Sequence, residues 1–336
     1  MTQLVIGAGL LGRSLVAYLL EQGETVRVLD VVPYTGSGVE AVVGDIRNLD
    51  DLARACDSVD TVYHTASMVN QGLGEIPVMY DVNVSGTQNV IAACQQAGVS
   101  RLIYTSSIDV VFDGTPIANG DESLPYPRRH LDYYGTTKSI AEQAVLKASD
   151  PHGLQTVSLR TAGIYGPYDR HRFPVILKNA CDGIFTRLGD GQAKFGHVYV
   201  KNVAYAHWLA AQHLQKPESP LGGQVYFITD HPPSNFFDFF PPFLEAANLP
   251  VNVQAIPLWL AQGLANVNEL VYRLLPGDKR ANRQLTRYVV AATCRDFWFS
   301  HERARRDFGY SPIVSEEEAF QQTLDWIIHE WLPVNC

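Results

Sequence analysis

The first 110 residues alternate short apolar runs with longer segments of mixed polarity. "QLVI" predicts a strand, and "LLGRSLVAYLLEQG" predicts a helix closed at Gly23. "ETVRVLD" and "EAVVGD" predict two more strands. "SVDTVYHTA" follows the helical "LDDLARAC"; a long helix then covers Asn83–Ala97, and "RLIYTSS" predicts a fifth strand. Alternation of this kind, with apolar strands, implies a parallel sheet covered on both faces. The expected fold class is therefore α/β, a Rossmann-type doubly wound sheet. From about Asp169 the rhythm changes. "GHVYV" and "GQVYFIT" are strand candidates among irregular stretches such as "DHPPSNFFDFFPPF", which predicts a smaller, mixed C-terminal region. The expected division is 1–168 and 169–336, with some later elements returning to the sheet.

One stretch stands apart. In Ile256–Pro276, Leu260, Leu264, Val267, Leu270, Val271 and Leu274 recur at helical spacing. Burial of that stripe against the domain is the expectation; dimerisation or rest on a membrane surface stays open. No apolar run reaches membrane-spanning length, and the glycine-broken N-terminus does not read as a signal peptide. The formal net charge of −9 and the short Lys/Arg clusters disfavour nucleic acid as a partner. Cys56, Cys94, Cys181, Cys294 and Cys336 lack metal-type spacing and are expected to be reduced thiols in a cytoplasmic protein.

"GAGLLG", Gly7–Gly12, matches GxGxxG after a strand and at the start of a helix. Glycines there permit a tight turn and close backbone approach to a pyrophosphate, which the helix N-terminus holds. Asp30 ends the second strand 18 residues after Gly12. A carboxylate at that point accepts from a ribose 2′-hydroxyl and repels a 2′-phosphate, favouring NAD over NADP. Asp45, at the end of the third strand, either faces the adenine edge or caps the next turn.

"DYYGTTK", Asp132–Lys138, pairs two tyrosines with a lysine. Residues four apart share a helix face, so Tyr134 rather than Tyr133 is the partner of Lys138. A free phenol titrates at about 10 and is a poor base near neutrality. A nearby ammonium favours the phenolate, and a shift of three units takes roughly 4 kcal/mol.

These motifs together resemble those of the extended short-chain dehydrogenases/reductases. The similarity is greatest to the 3β-hydroxysteroid dehydrogenase branch, which includes sterol 4-carboxylate 3-dehydrogenases (decarboxylating). "YGTTK" is similar to the family's YxxxK, "YTSSIDVV" carries its serine at Ser107, and "DVNVSGTQNV" its helix asparagine at Asn83. "HTAS", His64–Ser67, and "LRTAGIYGP" also match, with Thr161 in place of the family's proline. Val5 and Ile6 replace the first Thr-Gly of the family's opening motif. The resemblance implies Ser107, Tyr134 and Lys138 as catalytic residues. For the cofactor it implies Gly7, Gly9, Leu10, Leu11, Gly12, Asp30, Asp45, Ile46, Thr65, Ala66, Ser67, Asn83, Tyr134, Lys138 and Ile164. It implies NAD (or NADP) as cofactor, no metal, and a homodimer paired through the helices near Asn83–Ala97 and Asp132–Ser149. The implied substrate is an apolar small molecule with a secondary alcohol or ketone, a 3β-hydroxysteroid, sterol or related β-hydroxy acid. A bacterial group that reduces long-chain 2-alkyl-3-oxoacids shares the pattern.

Two other readings fit the fold. A nucleotide-sugar dehydratase resembles its relatives in a Thr-Asp-Glu run where this chain has Ser107-Ile108-Asp109, and an epimerase wants basic residues, of which Arg170, His171 and Arg172 are candidates. An NAD-sensing module without turnover is expected to lack the tyrosine or the lysine, and both are here. Phe236, Phe237, Phe239, Phe240, Phe243 and Trp259 suit core packing or a substrate wall equally. Asp109, two residues after Ser107, is either an extra acid near the site or, as the favoured reading, a solvated loop carboxylate, and His64, His197 and His207 are read as structural. Asp30→Ala is expected to weaken NAD binding more than NADP binding in a fluorescence titration. Tighter binding of NADPH than NADH by the unmodified protein contradicts the assignment.

Overall fold

The computed structural model describes residues 1–69, 76–216, 218–274 and 285–336. Seven strands form the central sheet: β1 Thr2–Ile6, β2 Thr25–Asp30, β3 Val39–Val43, β4 Thr61–His64, β5 Arg101–Ser107, β6 Gln155–Thr161 and β7 Gln224–Ile228. Their spatial order is β7-β6-β5-β4-β1-β2-β3, and every neighbouring pair is parallel. The order reverses between β1 and β4, which opens a crevice at their carboxyl ends. The doubly wound α/β sheet expected from the sequence is thus present, and β7 comes from the second half of the chain.

The strands are apolar because both faces are covered. Leu4, Val5, Ile6, Val62, Tyr63, Leu102 and Ile103 are fully buried. Helices α1 (Leu10–Glu21) and α6 (Val200–Leu214) pack together on one face. Helices α2 (Leu49–Cys56), α3 (Thr87–Ala97) and α4 (Tyr133–Lys147) lie on the other. Helix α4 starts where Asp132 accepts from the Gly135 N–H at 3.0 Å, an N-cap. Its buried side is unusually polar, with Tyr134, Thr137, Lys138, Ser139 and Glu142 all facing inward. Glu142 is shut from solvent and meets Arg160 of β6 at 2.7 Å, with Tyr126 at 2.6 Å and Ser158 at 2.8 Å as further donors. That cluster fixes α4 against the sheet.

Two expectations are corrected in the second half. Helix α7 (Leu258–Leu274) forms where the spacing predicted it, except that Pro276 falls outside the described residues. Its apolar stripe does not face the domain: Val267 is 60% exposed and Leu274 71%. Ala261 and Ala265 are the residues turned inward. Their small side chains let the helix approach its neighbour α8 (Arg287–Cys294) closely, and the large residues are left outside. The thiols are also not all free. Cys181, at the end of α5 (Phe173–Cys181), is disulfide-bonded to Cys336, whose Cα lies 6.0 Å away because the terminal segment folds back there. Cys56 and Cys94 are free and buried, and Cys294 is free and half-buried. Among the described residues no helix is long and apolar enough to cross a membrane.

Removing one member of a buried ion pair leaves the other charge desolvated. Glu142→Leu is therefore expected to cost about 3–5 kcal/mol in urea unfolding, through an unpaired Arg160. The double variant Glu142→Leu/Arg160→Met is expected to recover much of that loss.

Candidate active site

The glycine turn follows β1 and opens α1, with Gly9 as an N-cap that makes no side-chain bond. Gly7 has φ +92°, and a Cβ there would lie 2.6 Å from the Ala66 backbone. A Cβ on Gly12 would collide with the Gly7 carbonyl. At Gly9 a Cβ would meet open space. The loop is thus packed behind and bare in front, a cradle that fits a pyrophosphate above the first-turn N–H groups of α1. Thr65 supports it from β4's end, donating to the Gly7 carbonyl at 2.7 Å. Asp30 ends β2 and accepts from Ala8 N–H at 2.6 Å and Val32 N–H at 2.9 Å, so its carboxylate stands beside the same turn.

A cavity of about 340 Å³ extends from this loop. Gly9–Gly12, Thr65, Ser67, Ser107, Tyr134, Lys138 and Ile164 all line it. Other positions implied for the cofactor stand farther back. Asn83 is 2% exposed within a π-helical turn, Asp81–Gly86. Its side chain accepts from Met68 N–H at 2.8 Å and donates to Met68 O and to Thr137 Oγ1. It therefore ties the segment after β4 to α4. Ala66 packs behind Gly7. Ile46 is buried against Gly86. Asp45 pairs with Arg47, whose hydrogen bonds hold its carboxyl below the usual range.

Ser67, Ser107 and Tyr134 line the cavity together, and the two hydroxyls act to lower the phenol. Burial pushes that phenol above its ordinary value, and Asp109 adds to the rise. Lys138 makes no hydrogen bond to that phenol. Its Nζ donates to the Thr105 carbonyl at 2.6 Å and lies 4.2 Å from the centre of the Tyr104 ring. Burial lowers the ammonium to about 7.

Asp109 is corrected from a solvated carboxylate to a buried one, 3% exposed. The short 3₁₀ turn Ile108–Val111 after β5 folds it back. It accepts from Ser107 Oγ at 2.6 Å and from the Tyr288 hydroxyl of α8. Tyr288 lines the cavity and was not anticipated. Its sequence signal, an apolar helical stretch, does not distinguish it from a packing residue. Asp132 lies close enough for Asp109's charge to act on it. Burial first, and then Asp109, push the Asp132 carboxyl up to about 8. The three histidines have the structural roles expected. His64 meets Thr87 at 2.9 Å, His207 meets Thr105 at 2.7 Å, and burial lowers them to about 3 and about 4. His197 is buried as well and stacks on Phe239 at 3.8 Å.

A dinucleotide turn beside a serine, a buried tyrosine and a lysine defines a protein of the dehydrogenase/reductase class on a Rossmann-type sheet. Residues 4–258 match the model of the 3-beta hydroxysteroid dehydrogenase/isomerase family. A mouse (Mus musculus) sterol-4-alpha-carboxylate 3-dehydrogenase, decarboxylating, is 36% identical over 96% of this chain and 90% of its own. A Mycolicibacterium neoaurum 3-beta-hydroxysteroid dehydrogenase is 36% identical over 95% of this chain and 89% of its own. A Thermus thermophilus UDP-glucose 4-epimerase, solved with NAD, shares the fold with a TM-score of 0.74 at 23% identity, over 98% of this chain and all of that one. The chain belongs to the 3-beta hydroxysteroid dehydrogenase/isomerase family.

The Asp132 shift has a testable sign. A carboxyl raised in the folded state stabilises the protein fully below its free value of 3.8 and loses that contribution as pH rises through about 8. Asp132→Asn keeps the acceptor for Gly135 and does not ionise. Its stability relative to the parent is expected to grow between about pH 4 and 8, then level off, in urea unfolding at a series of pH values.

Proposed function

We propose that this protein is an NAD-dependent enzyme that interconverts a secondary alcohol and a ketone on an apolar substrate, a 3β-hydroxysteroid, sterol or related β-hydroxy acid. The observation that carries this reading is the meeting of Ser107, Tyr134 and Lys138 in the cavity that begins at the glycine turn. NAD, when bound, supplies the acceptor or donor of hydride. Its pyrophosphate would lie on Gly9–Gly12 and its adenosine ribose against Asp30.

Tyr134 moves the proton. In oxidation its phenolate takes the proton of the substrate hydroxyl, and in reduction the phenol returns it. Ser107, held by Asp109, orients the substrate oxygen between itself and Tyr134. Lys138 would hold the nicotinamide ribose and add positive charge near the phenol. Its low basicity follows from burial and is eased by hydroxyls of the bound ribose. A β-keto acid product would lose carbon dioxide without a further catalytic group.

Tyr134→Phe is expected to lower kcat by roughly 100-fold or more while leaving NADH binding intact. Tyr133→Phe is expected to retain substantial activity. Equal losses in the two would refute the assignment of the proton donor. Nicotinamide fluorescence across sterols, long-chain 3-hydroxy acids and nucleotide sugars tests the substrate class. Turnover of the sugars alone would overturn the reading.

A further inference from the structure

The catalytic cavity borders a second, mainly apolar one of about 500 Å³. Val69, His171, Arg172, Phe236, Val289 and Thr293 line both, so the two are continuous through these side chains. The second is walled by residues such as Val175, Ile176, Ile184, Phe237, Phe240 and Ile256. It suits a hydrocarbon body. Among the described residues, the guanidinium of Arg172 interrupts this apolar surface at the junction.

Arg172 precedes α5. Its guanidinium carbon lies 5.1–5.8 Å from the ring centres of Phe195, Phe236 and Phe240. Gly163 makes room for it, since a Cβ there would come within 2.5 Å of Nη1. Nη2 donates to Nδ1 of His197 at 3.1 Å. Burial, and then the charge of Arg172, hold that imidazole well below its ordinary value, so it is neutral and orients the cation without balancing it. Nη1 is shut from solvent and has no hydrogen-bond partner. The nearby carboxylate, Asp169, is occupied: it accepts from the backbone N–H groups of His171, Arg172 and Phe173 at 2.7–3.3 Å. No carboxylate lies within 4.0 Å of the guanidinium among the described residues. A cation that lines both cavities, removed from water and with no carboxylate beside it, calls for an anion. Arginine presents paired donors in the geometry of a carboxylate.

We propose that Arg172 is a specificity-determining residue that holds a carboxylate carried by the otherwise apolar substrate. The acid group sits at the junction, the hydrocarbon body fills the larger cavity, and the alcohol or ketone reaches Tyr134. The proposal deepens the alcohol–ketone reading above and rests on it for the position of the reacting carbon. A purely structural arginine, held by its three rings and His197, would make no distinction between an acid and its ester.

The test compares a long-chain 3-hydroxy acid with its methyl ester, and a 3β-hydroxysterol 4-carboxylate with its methyl ester. Binding to the NADH-loaded protein is measured by calorimetry, and turnover is followed in the same preparations with NAD. The parent protein is expected to bind at least one acid 10- to 100-fold more tightly than its ester, the range of a charge-assisted hydrogen bond. Arg172→Gln is expected to bring the acid-to-ester ratio close to one, chiefly through KM, and Arg172→Lys to restore part of it. Equal binding of acid and ester by the parent overturns the proposal and needs no variant to be folded. So does an unchanged ratio in a folded Arg172→Gln protein. Acid bound in preference but never oxidised sinks the alcohol–ketone reading and leaves the anion site standing. Ester or neutral sterol oxidised as readily as acid sinks the anion site alone.

Discussion

Burying a tyrosine, a lysine and a glutamate along one stripe of one helix is the constraint on which this structure depends. Tyr134, Lys138 and Glu142 follow each other at four-residue spacing on α4 and all three are shut from solvent. Hydrocarbon packing alone does not hold such a face, because each polar head needs a partner before it leaves water. Arg160 answers Glu142, the Thr105 carbonyl answers Lys138, and Tyr134 lines the cavity with Ser67 and Ser107. Those partners come from β4's end, β5 and β6, so α4 can dock in one register only. The same pairing that makes the helix stable sets the positions of the reactive groups.

Much of this was legible in the sequence. The sheet follows from apolar runs separated by helical segments. The glycine turn is recognisable because only glycine tolerates the contacts at Gly7 and Gly12. The choice of Tyr134 over Tyr133 needed only the pitch of a helix, and Tyr134 lines the cavity. What the sequence did not disclose depends on distant parts of the chain. Asp109 looked like a loop carboxylate because Tyr288, which covers it, lies 179 residues away. Cys181 and Cys336 are separated by 155 residues. Lys138 was expected to face the phenol, but its length lets it reach a carbonyl at the end of β5 instead. Helix α7 misled for a different reason. Hydrophobic spacing identifies a face, but close approach through Ala261 and Ala265 settled which side turned inward.

The fold and the chemistry separate cleanly here. The fold is shared with an epimerase at 23% identity, so it specifies little about the reaction. Distinction lies in the second half. Phe237, Phe240 and Phe243 are buried with the core, while Phe236, Phe237 and Phe240 also face the larger cavity. Phe237 and Phe240 thus pack in the core and line a cavity at once, whereas Trp259 is 73% exposed and lines neither cavity.

The contact between Asp109 and Tyr288 also orders events in time. Chains emerge from synthesis N-terminal end first, and local structure forms ahead of distant pairings. The glycine turn and strands β1 to β6 are all present by Thr161. The aspartate that holds Ser107 gains its tyrosine only after more than a hundred further residues have followed. The residues of the dinucleotide turn are therefore synthesised well before the tyrosine that completes the contact behind Ser107.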